Sequence, residues 1–345
     1  MKFITKPLKG PLTTLDDLID ILDIPNETKV SSNQKDLVFS LKELNNLIGL
    51  KSFKEILINQ ILFFIQDLMS PETFLNAVIS GPPGVGKTTV INILAKIYQA
   101  LGLLTKNTVI KVSRADLIAD FLGQTAIKTK KVLNLASGGI LLIDEAYSLG
   151  SGDGDDSYSK ECIDTINEYL SLNVSNLICI IAGYENEIEK CFFKQNSGLK
   201  RRFPWKFNID NYNPEELSLI FRKQLGDSKI QWSLIDDGLL DLFKKNIEKF
   251  DGNGGDTKNL LDRCKICYAR RNFLISNEKP RKKQRIIEEP LSKILTMEDI
   301  NDGFSIFLTQ KIKSIKKCAY CKDQEEQLDC SRCLLKKEKI NLWSI

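Results

Sequence analysis

Histidine is absent from all 345 residues of the chain. That absence removes every mechanism that needs an imidazole and leaves carboxylates as the candidate bases. Net charge is scarce too: 49 Lys and Arg stand against 45 Asp and Glu, a formal +4, so no global basic field argues for nucleic acid. Long apolar runs are missing. The longest, ILINQILFFIQDLM at residues 56–69, is interrupted by Asn59, Gln60 and Gln66 and is too short to span a bilayer, which predicts an amphipathic or buried helix and no membrane partner. The opening MKFITKPLKG lacks the apolar core of a signal peptide and places the protein in the cytoplasm or another reducing interior. In such a compartment nine cysteines read as thiols or metal ligands rather than disulfides.

What is present is concentrated in two stretches. In ISGPPGVGKTTV, residues 79–90, Gly81, Gly84, Gly86, Lys87 and Thr88 complete the pattern G-x-x-x-x-G-K-[ST], with Pro82, Pro83 and Val85 inside it and Thr89 after it. The apolar run Ala77, Val78, Ile79 ahead of it reads as a buried parallel strand, and helix-forming sequence follows. Glycines let successive backbone N–H groups point inward at phosphate oxygens, and the helix beginning near Lys87 presents its positive end to the same anion. Lys87 would reach the β- and γ-phosphates of ATP or GTP, and Thr88 would ligate magnesium. The second stretch, GGILLIDEAYSL at 138–149, is a continuous apolar strand that ends in two carboxylates, where parallel sheets place their chemistry. Asp144 would hold magnesium through water, and Glu145 would orient and deprotonate the attacking water.

The composition, 42% hydrophobic and 27% charged, is that of a globular protein, and the length suffices for two cores and a short appendage. Residues 1–40 form a polar N-terminal extension with one helical pattern, TTLDDLIDIL, opened by a Thr or Asp cap. Over 41–210, strand-like runs at 77–80, 108–112, 139–143, 177–182 and 205–209 alternate with helical periodicity, the α/β signature of a parallel sheet covered on both faces. From Pro214 to Gln310 the pattern is helical only, which predicts a separate helical lid over 211–310 and a tail over 311–345. NEKPRKKQRIIEEP at 277–290 reads as a solvated linker or as a basic contact patch.

These blocks, together with SRADLIADFLGQTA at 113–126, IIAGYENEIE at 180–189 and NSGLKRRFPWKF at 196–207, resemble the AAA+ ATPases of the CbbX and stage V sporulation protein K type over residues 41–275. The resemblance implies a hexameric ring, a five-stranded α/β domain with a helical lid, and ATP with magnesium at the seam between subunits. It puts Tyr184 at the sensor position after the fourth strand, Asn45–Leu50 along the adenine pocket, and Arg202 at the arginine finger given to a neighbouring subunit, with Arg201 beside it as the alternative. In DGNGGDTKNLLDR the bacterial members carry arginines, one a second sensor, where Gly255 and Lys258 stand here. Lysine neutralises phosphate but cannot fork across it, so that role falls to Lys258 or to Arg263.

The resemblance also places Phe121, Leu122 and Gly123 at the first pore loop, where an aromatic and an aliphatic grip an extended polypeptide. The alternative is a core phenylalanine capping the sheet. GSGDGDDSYS at 150–159 lacks the glycine and the terminal glutamate of a calcium loop and reads as a loop. In the tail, Cys318, Cys321, Cys330 and Cys333 form two C-x-x-C pairs with eight residues between them, a spacing that suits a four-thiolate zinc site; two redox pairs are the alternative. Cys264 and Cys267 fall within a helical pattern and read as packing residues. The whole reads as an ATP-hydrolysing ring that remodels a protein substrate through its pore. The other reading is a nucleic-acid-associated ATPase using residues 279–285 and the cysteine tail.

Overall fold

The computed structural model describes residues 3–7, 10–24, 30–70, 72–121, 123–150, 156–172, 176–196, 198–228, 230–235, 238–278 and 293–316. The chain divides into two compact units, Met1–Ile220 with Phe250–Gly255, and Phe221–Lys249 with Asp256–Ile345. The first opens with α1 (Leu15–Leu22), α2 (Ser32–Asn45) and α3 (Lys51–Ile65), followed by β1 (Ala77–Ser80), α4 (Lys87–Ala100), β2 (Val109–Val112), the single turn α5 (Arg114–Leu117), α6 (Thr125–Ala136), β3 (Ile140–Ile143), α7 (Ser157–Leu172), β4 (Ile178–Gly183), the turn α8 (Glu185–Glu187) and β5 (Trp205–Asn208). Next, α9 (Pro214–Gly226) spans the unit boundary.

The five strands form one parallel sheet in the order β2-β3-β4-β1-β5. Every residue of β1, β3 and β4 is buried, which is why the sequence shows unbroken apolar runs there rather than alternation. The period of two still operates inside the sheet. Val78, Leu141, Ile143 and Ile181 join a cluster with Leu133, Ile163 and Ile166 of α6 and α7, while Ile79, Ile140, Leu142, Ile180 and Phe207 join another with Leu41, Phe53 and Leu94 of α2, α3 and α4. The second cluster reaches back to Leu15, Leu18 and Leu22 of α1. That helix is capped by Thr14, whose hydroxyl accepts from the Asp17 N–H while the Asp17 carboxylate accepts from the Thr14 N–H.

The apolar run 56–69 lies largely in α3, and one of its polar interruptions has a structural purpose. Tyr98 of α4 is fully buried and donates its hydroxyl to Gln60 Oε1 at 2.9 Å, the partner without which burying that hydroxyl would carry a desolvation cost. Burial also pushes the Tyr98 phenol well above the ordinary tyrosine range.

The second unit continues with β6 (Trp232–Leu234), α10 (Leu239–Lys245), α11 (Asn253–Glu278), β7 (Lys293–Leu295) and α12 (Met297–Lys316), the first three residues of α11 belonging to the first unit. It is helical with one addition that the pattern does not predict: β6 and β7 pair in parallel, Trp232 opposite Lys293, whose ammonium lies 5.5 Å from the indole centroid. Three-residue strands are too short to show a period. Cys264 and Cys267 are buried on α11, and a Cβ at Gly303 would stand 2.8 Å from both the Cys264 amide and its Sγ, so these thiols are packing groups at a close helix crossing. Asp299 is buried in a bidentate pair with Arg271, at 2.9 and 2.7 Å. No helix among the described residues is long and apolar enough to cross a membrane.

Because Leu41 is fully buried against the sheet cluster, Leu41→Ala should destabilise the first unit by about 2–5 kcal/mol in chemical denaturation. A loss below about 1 kcal/mol would show that α2 packs only loosely on this core.

Candidate functional site

The carboxyl ends of β1, β3 and β4 converge on one edge of the sheet, the position where open parallel sheets bind ligands. Residues 81–86 leave β1 and turn into α4 through three glycines at positive φ: Gly81 at 153°, Gly84 at 73° and Gly86 at 89°. Gly84 is required twice, since a Cβ there would also stand 2.0 Å from the Gly252 carbonyl oxygen. Beside Gly86 there is open space, and α4 begins without any side-chain cap. The amides of Gly84, Val85 and Gly86 donate to no acceptor among the described residues.

Lys87 is half-buried and curls over this loop, donating to the carbonyls of Gly81 and Pro82 at 2.7 and 2.8 Å. Burial holds its ammonium below the usual lysine value, and the negative charges of Asp144 and Glu145 act in the opposite direction. Thr88 and Thr89 expose their side chains at the start of α4. A half-buried ammonium satisfied only by neutral carbonyls, three unengaged amides and an uncapped helix start form a donor set that fits a polyphosphate. The exposed Thr88 hydroxyl and the Asp144 carboxylate supply oxygen ligands of the kind magnesium takes.

At the end of β3, Asp144 pairs with Lys111 of β2 at 2.7 Å and accepts from the Glu145 amide at 3.1 Å. Glu145 adopts φ 51° and ψ 46°, a left-handed conformation that costs a non-glycine residue about 1–3 kcal/mol. At the end of β4, Tyr184 is partly exposed with its ring 6.1 Å from that of Tyr147, whose phenol is pushed up to about 12 by burial and then by Glu145 and Glu187.

Several carbonyls of the phosphate loop have partners that the motif does not announce. Tyr212 donates its hydroxyl to the Val85 carbonyl at 2.9 Å, the Gly254 amide donates to that of Gly84 at 3.1 Å, and Asn253 Nδ2 donates to that of Pro83 at 3.2 Å. Tyr212 also flanks Asn45–Leu50: a Cβ at Gly49 would lie 3.0 Å from its ring and 2.8 Å from a Glu216 carboxylate oxygen. Lys111, Tyr212 and Asn253 were not legible as site residues. Lys111 sits in an apolar strand, and the other two lie far from the motif in sequence; the only available signal was the glycine-flanked Asn253 in DGNGG.

The remaining expected site residues are dispersed. Arg202 is held within its own chain, donating to Ser171 Oγ at 2.8 Å and the Gly198 carbonyl at 2.7 Å, with its guanidinium 5.9 Å from the Phe74 centroid. Its neighbour Arg201 is exposed and makes no hydrogen bond or ion pair among the described residues. Phe121 is 68% exposed, so it is not a core residue, and Gly123 follows at φ 78°. Leu122, the basic stretch 279–285 and the four tail cysteines Cys318, Cys321, Cys330 and Cys333 lie outside the described residues. Among the described residues, no group of three or more Cys, Asp or Glu is placed to hold a metal. Lys258 and Arg263 lie on the part of α11 in the second unit, Lys258 exposed and Arg263 half-buried.

Residues 77–206 match the family model described as ATPase family associated with various cellular activities (AAA). A cfxQ-like protein of Acanthamoeba polyphaga mimivirus is 40% identical over 270 residues, covering 78% of this chain and 64% of its own length. A CfxQ homologue of Galdieria sulphuraria is 33% identical over 283 residues, covering 79% of this chain and 90% of its own. Among solved structures, the FIGL-1 AAA domain in complex with ADP aligns with a TM-score of 0.52 at 17% identity, over 86% of this chain and 89% of that one, a likeness of fold alone. The sheet order, the phosphate loop, the paired carboxylates after β3 and these relatives lead to one conclusion: the chain belongs to the AAA+ ATPases of the CbbX and stage V sporulation protein K type.

Proposed function

We propose that this ATPase works as a homo-oligomeric ring, a hexamer, that couples ATP hydrolysis to remodelling a protein substrate drawn through its pore. The observation that carries the catalytic half is the placement of one lysine and two carboxylates: Lys87 lies close enough to Asp144 and Glu145 for their charges to act on it, at the edge of the sheet where the amides of Gly84, Val85 and Gly86 have no acceptor among the described residues. Lys87 would neutralise the β- and γ-phosphates, and Thr88 and Asp144 would hold magnesium, which when bound would supply charge screening at the phosphoryl oxygens. Glu145 orients water and takes its proton. The Lys111–Asp144 pair is no obstacle, because ion pairs between partly exposed groups contribute little, about 0–1 kcal/mol. Tyr184 lies at the end of the neighbouring strand, suited to sensing the γ-phosphate.

The finger comes from a neighbouring subunit. Arg201 and Arg202 differ in readiness for it: Arg202 would first give up its bonds to Ser171 and Gly198, whereas Arg201 is free to reach across. Phe121 supports the threading half, since a large apolar side chain left in solvent, two residues before a glycine at positive φ, has the character of a gripping group.

Lys87→Ala should abolish ATP binding, whereas Glu145→Gln should retain binding and stop phosphate release. Equal loss of binding in both variants would remove Glu145 from the role of base. Of Arg201→Ala and Arg202→Ala, the one that removes the finger should lower turnover on the ~10³-fold scale without loss of affinity. Mixing that variant with Glu145→Gln subunits should restore activity, and rings that form yet stay inactive in every mixture would argue against a shared site. Phe121→Ala should leave melting temperature and basal hydrolysis unchanged and uncouple hydrolysis from remodelling; a fall of several degrees in melting temperature would instead mark Phe121 as a packing residue.

A further inference from the structure

We infer that Asn253 and Tyr212 are positioning residues of the phosphate loop, which set the direction of its amides by holding its carbonyls from the opposite side. The inference rests on the reading of residues 81–88 as the nucleotide cradle. The described residues have no cis peptide bonds, so in each of the loop's peptide planes the C=O of one residue and the N–H of the next point in opposite directions. The carbonyls of Pro83, Gly84 and Val85 are engaged by the Asn253 side chain, the Gly254 amide and the Tyr212 hydroxyl. The amides that share those three planes are those of Gly84, Val85 and Gly86, the ones left without an acceptor among the described residues. Three consecutive donors are thereby turned away from the protein and toward the phosphate position before any ligand arrives.

The clamp is itself held. The Asn253 side chain is buried, and it also donates to Asn211 Oδ1 and the Asp251 carbonyl, at 3.0 and 3.2 Å, while its Oδ1 accepts from the Tyr212 amide at 3.0 Å. Its backbone stands at φ 50°, in the left-handed region that asparagine tolerates better than other residues with a β-carbon. The Tyr212 phenol is pushed up to about 12 by burial and then by Glu216, so the hydroxyl stays protonated and remains a donor to Val85. Tyr212 also lies against Gly49, so a single side chain connects the segment proposed for the adenine to the loop proposed for the phosphates.

Three variants test this in the full chain, with ATP and ADP affinities measured by displacement of a fluorescent nucleotide and the melting temperature measured without nucleotide. Tyr212→Phe removes one hydrogen bond and should weaken both nucleotides roughly 2- to 10-fold at an unchanged melting temperature. Asn253→Gly suits the backbone and removes the whole side chain, so it should weaken binding further. Asn253→Asp keeps the acceptor for the Tyr212 amide but sets a carboxylate against the Pro83 carbonyl, so it should behave as Asn253→Gly and not as wild type. Wild-type affinity in Tyr212→Phe and in either Asn253 variant would overturn the inference. So would affinity losses that appear only in step with a lowered melting temperature. Should Asn253→Gly fail to fold, Tyr212→Phe alone decides. A wild-type chain that binds neither nucleotide would instead refute the cradle itself, and the clamp with it.

Discussion

A trans peptide plane carries its donor and its acceptor on opposite edges, and the site of this protein depends on how that constraint is met. Of the six residues between β1 and α4, Pro82 and Pro83 carry no N–H and the Gly81 amide donates to Gly183, so only Gly84, Val85 and Gly86 are left to offer amides to an anion, and the carbonyls that share those peptide planes need partners elsewhere. β1, buried on both faces in the parallel sheet, fixes the point at which the loop leaves it. Tyr212 and the glycine-rich start of α11 supply the outer partners. Glycine at 84 answers both demands, a positive φ and the approach of the Gly252 carbonyl. The same small volume thus leaves amides open to the proposed phosphate position on one side and satisfies the backbone on the other.

Electrostatics at the sheet edge follow from the strand ends. Lys87 and Lys111 face Asp144 and Glu145, so the carboxylates that would hold magnesium and activate water already lie among cations. None of these contacts is deeply buried, which keeps each of them weak and exchangeable. The ammonium of Lys87 bonds to loop carbonyls that are ordinary hydrogen-bond acceptors, and phosphate oxygens are stronger ones. Gly255 stands beside a backbone contact to the same loop, the bond from the Gly254 amide to the Gly84 carbonyl.

Much of this was legible in the sequence, for physical reasons that differ by element. β1, β3 and β4 were readable because burial on both faces leaves unbroken apolar runs, and the ends of all five strands fall within one residue of the expected bounds. The sequence singles out residues 81–88 and Asp144–Glu145 because the chemistry proposed for them needs those residue types contiguous in sequence. Gln60 looked like a mere interruption of an apolar run, since its partner Tyr98 lies on another helix. Tyr212, Asn253 and Lys111 act through contacts that only the fold brings together, and a periodicity or a local motif carries no trace of them. The β6–β7 pair escaped because three residues cannot display a strand period. The sequence leaves Phe121 open between a pore-loop residue and a core phenylalanine, and its exposure decides against the core.

The most direct test of this account is an experimental structure with magnesium and a non-hydrolysable ATP analogue. The account predicts that Lys87 leaves the carbonyls of Gly81 and Pro82 for the phosphates, that the amides of Gly84, Val85 and Gly86 point at phosphate oxygens, and that the bonds from Asn253, Gly254 and Tyr212 to the loop persist. Nucleotide bound away from residues 81–88, or bound there with those three outer bonds broken, would contradict it.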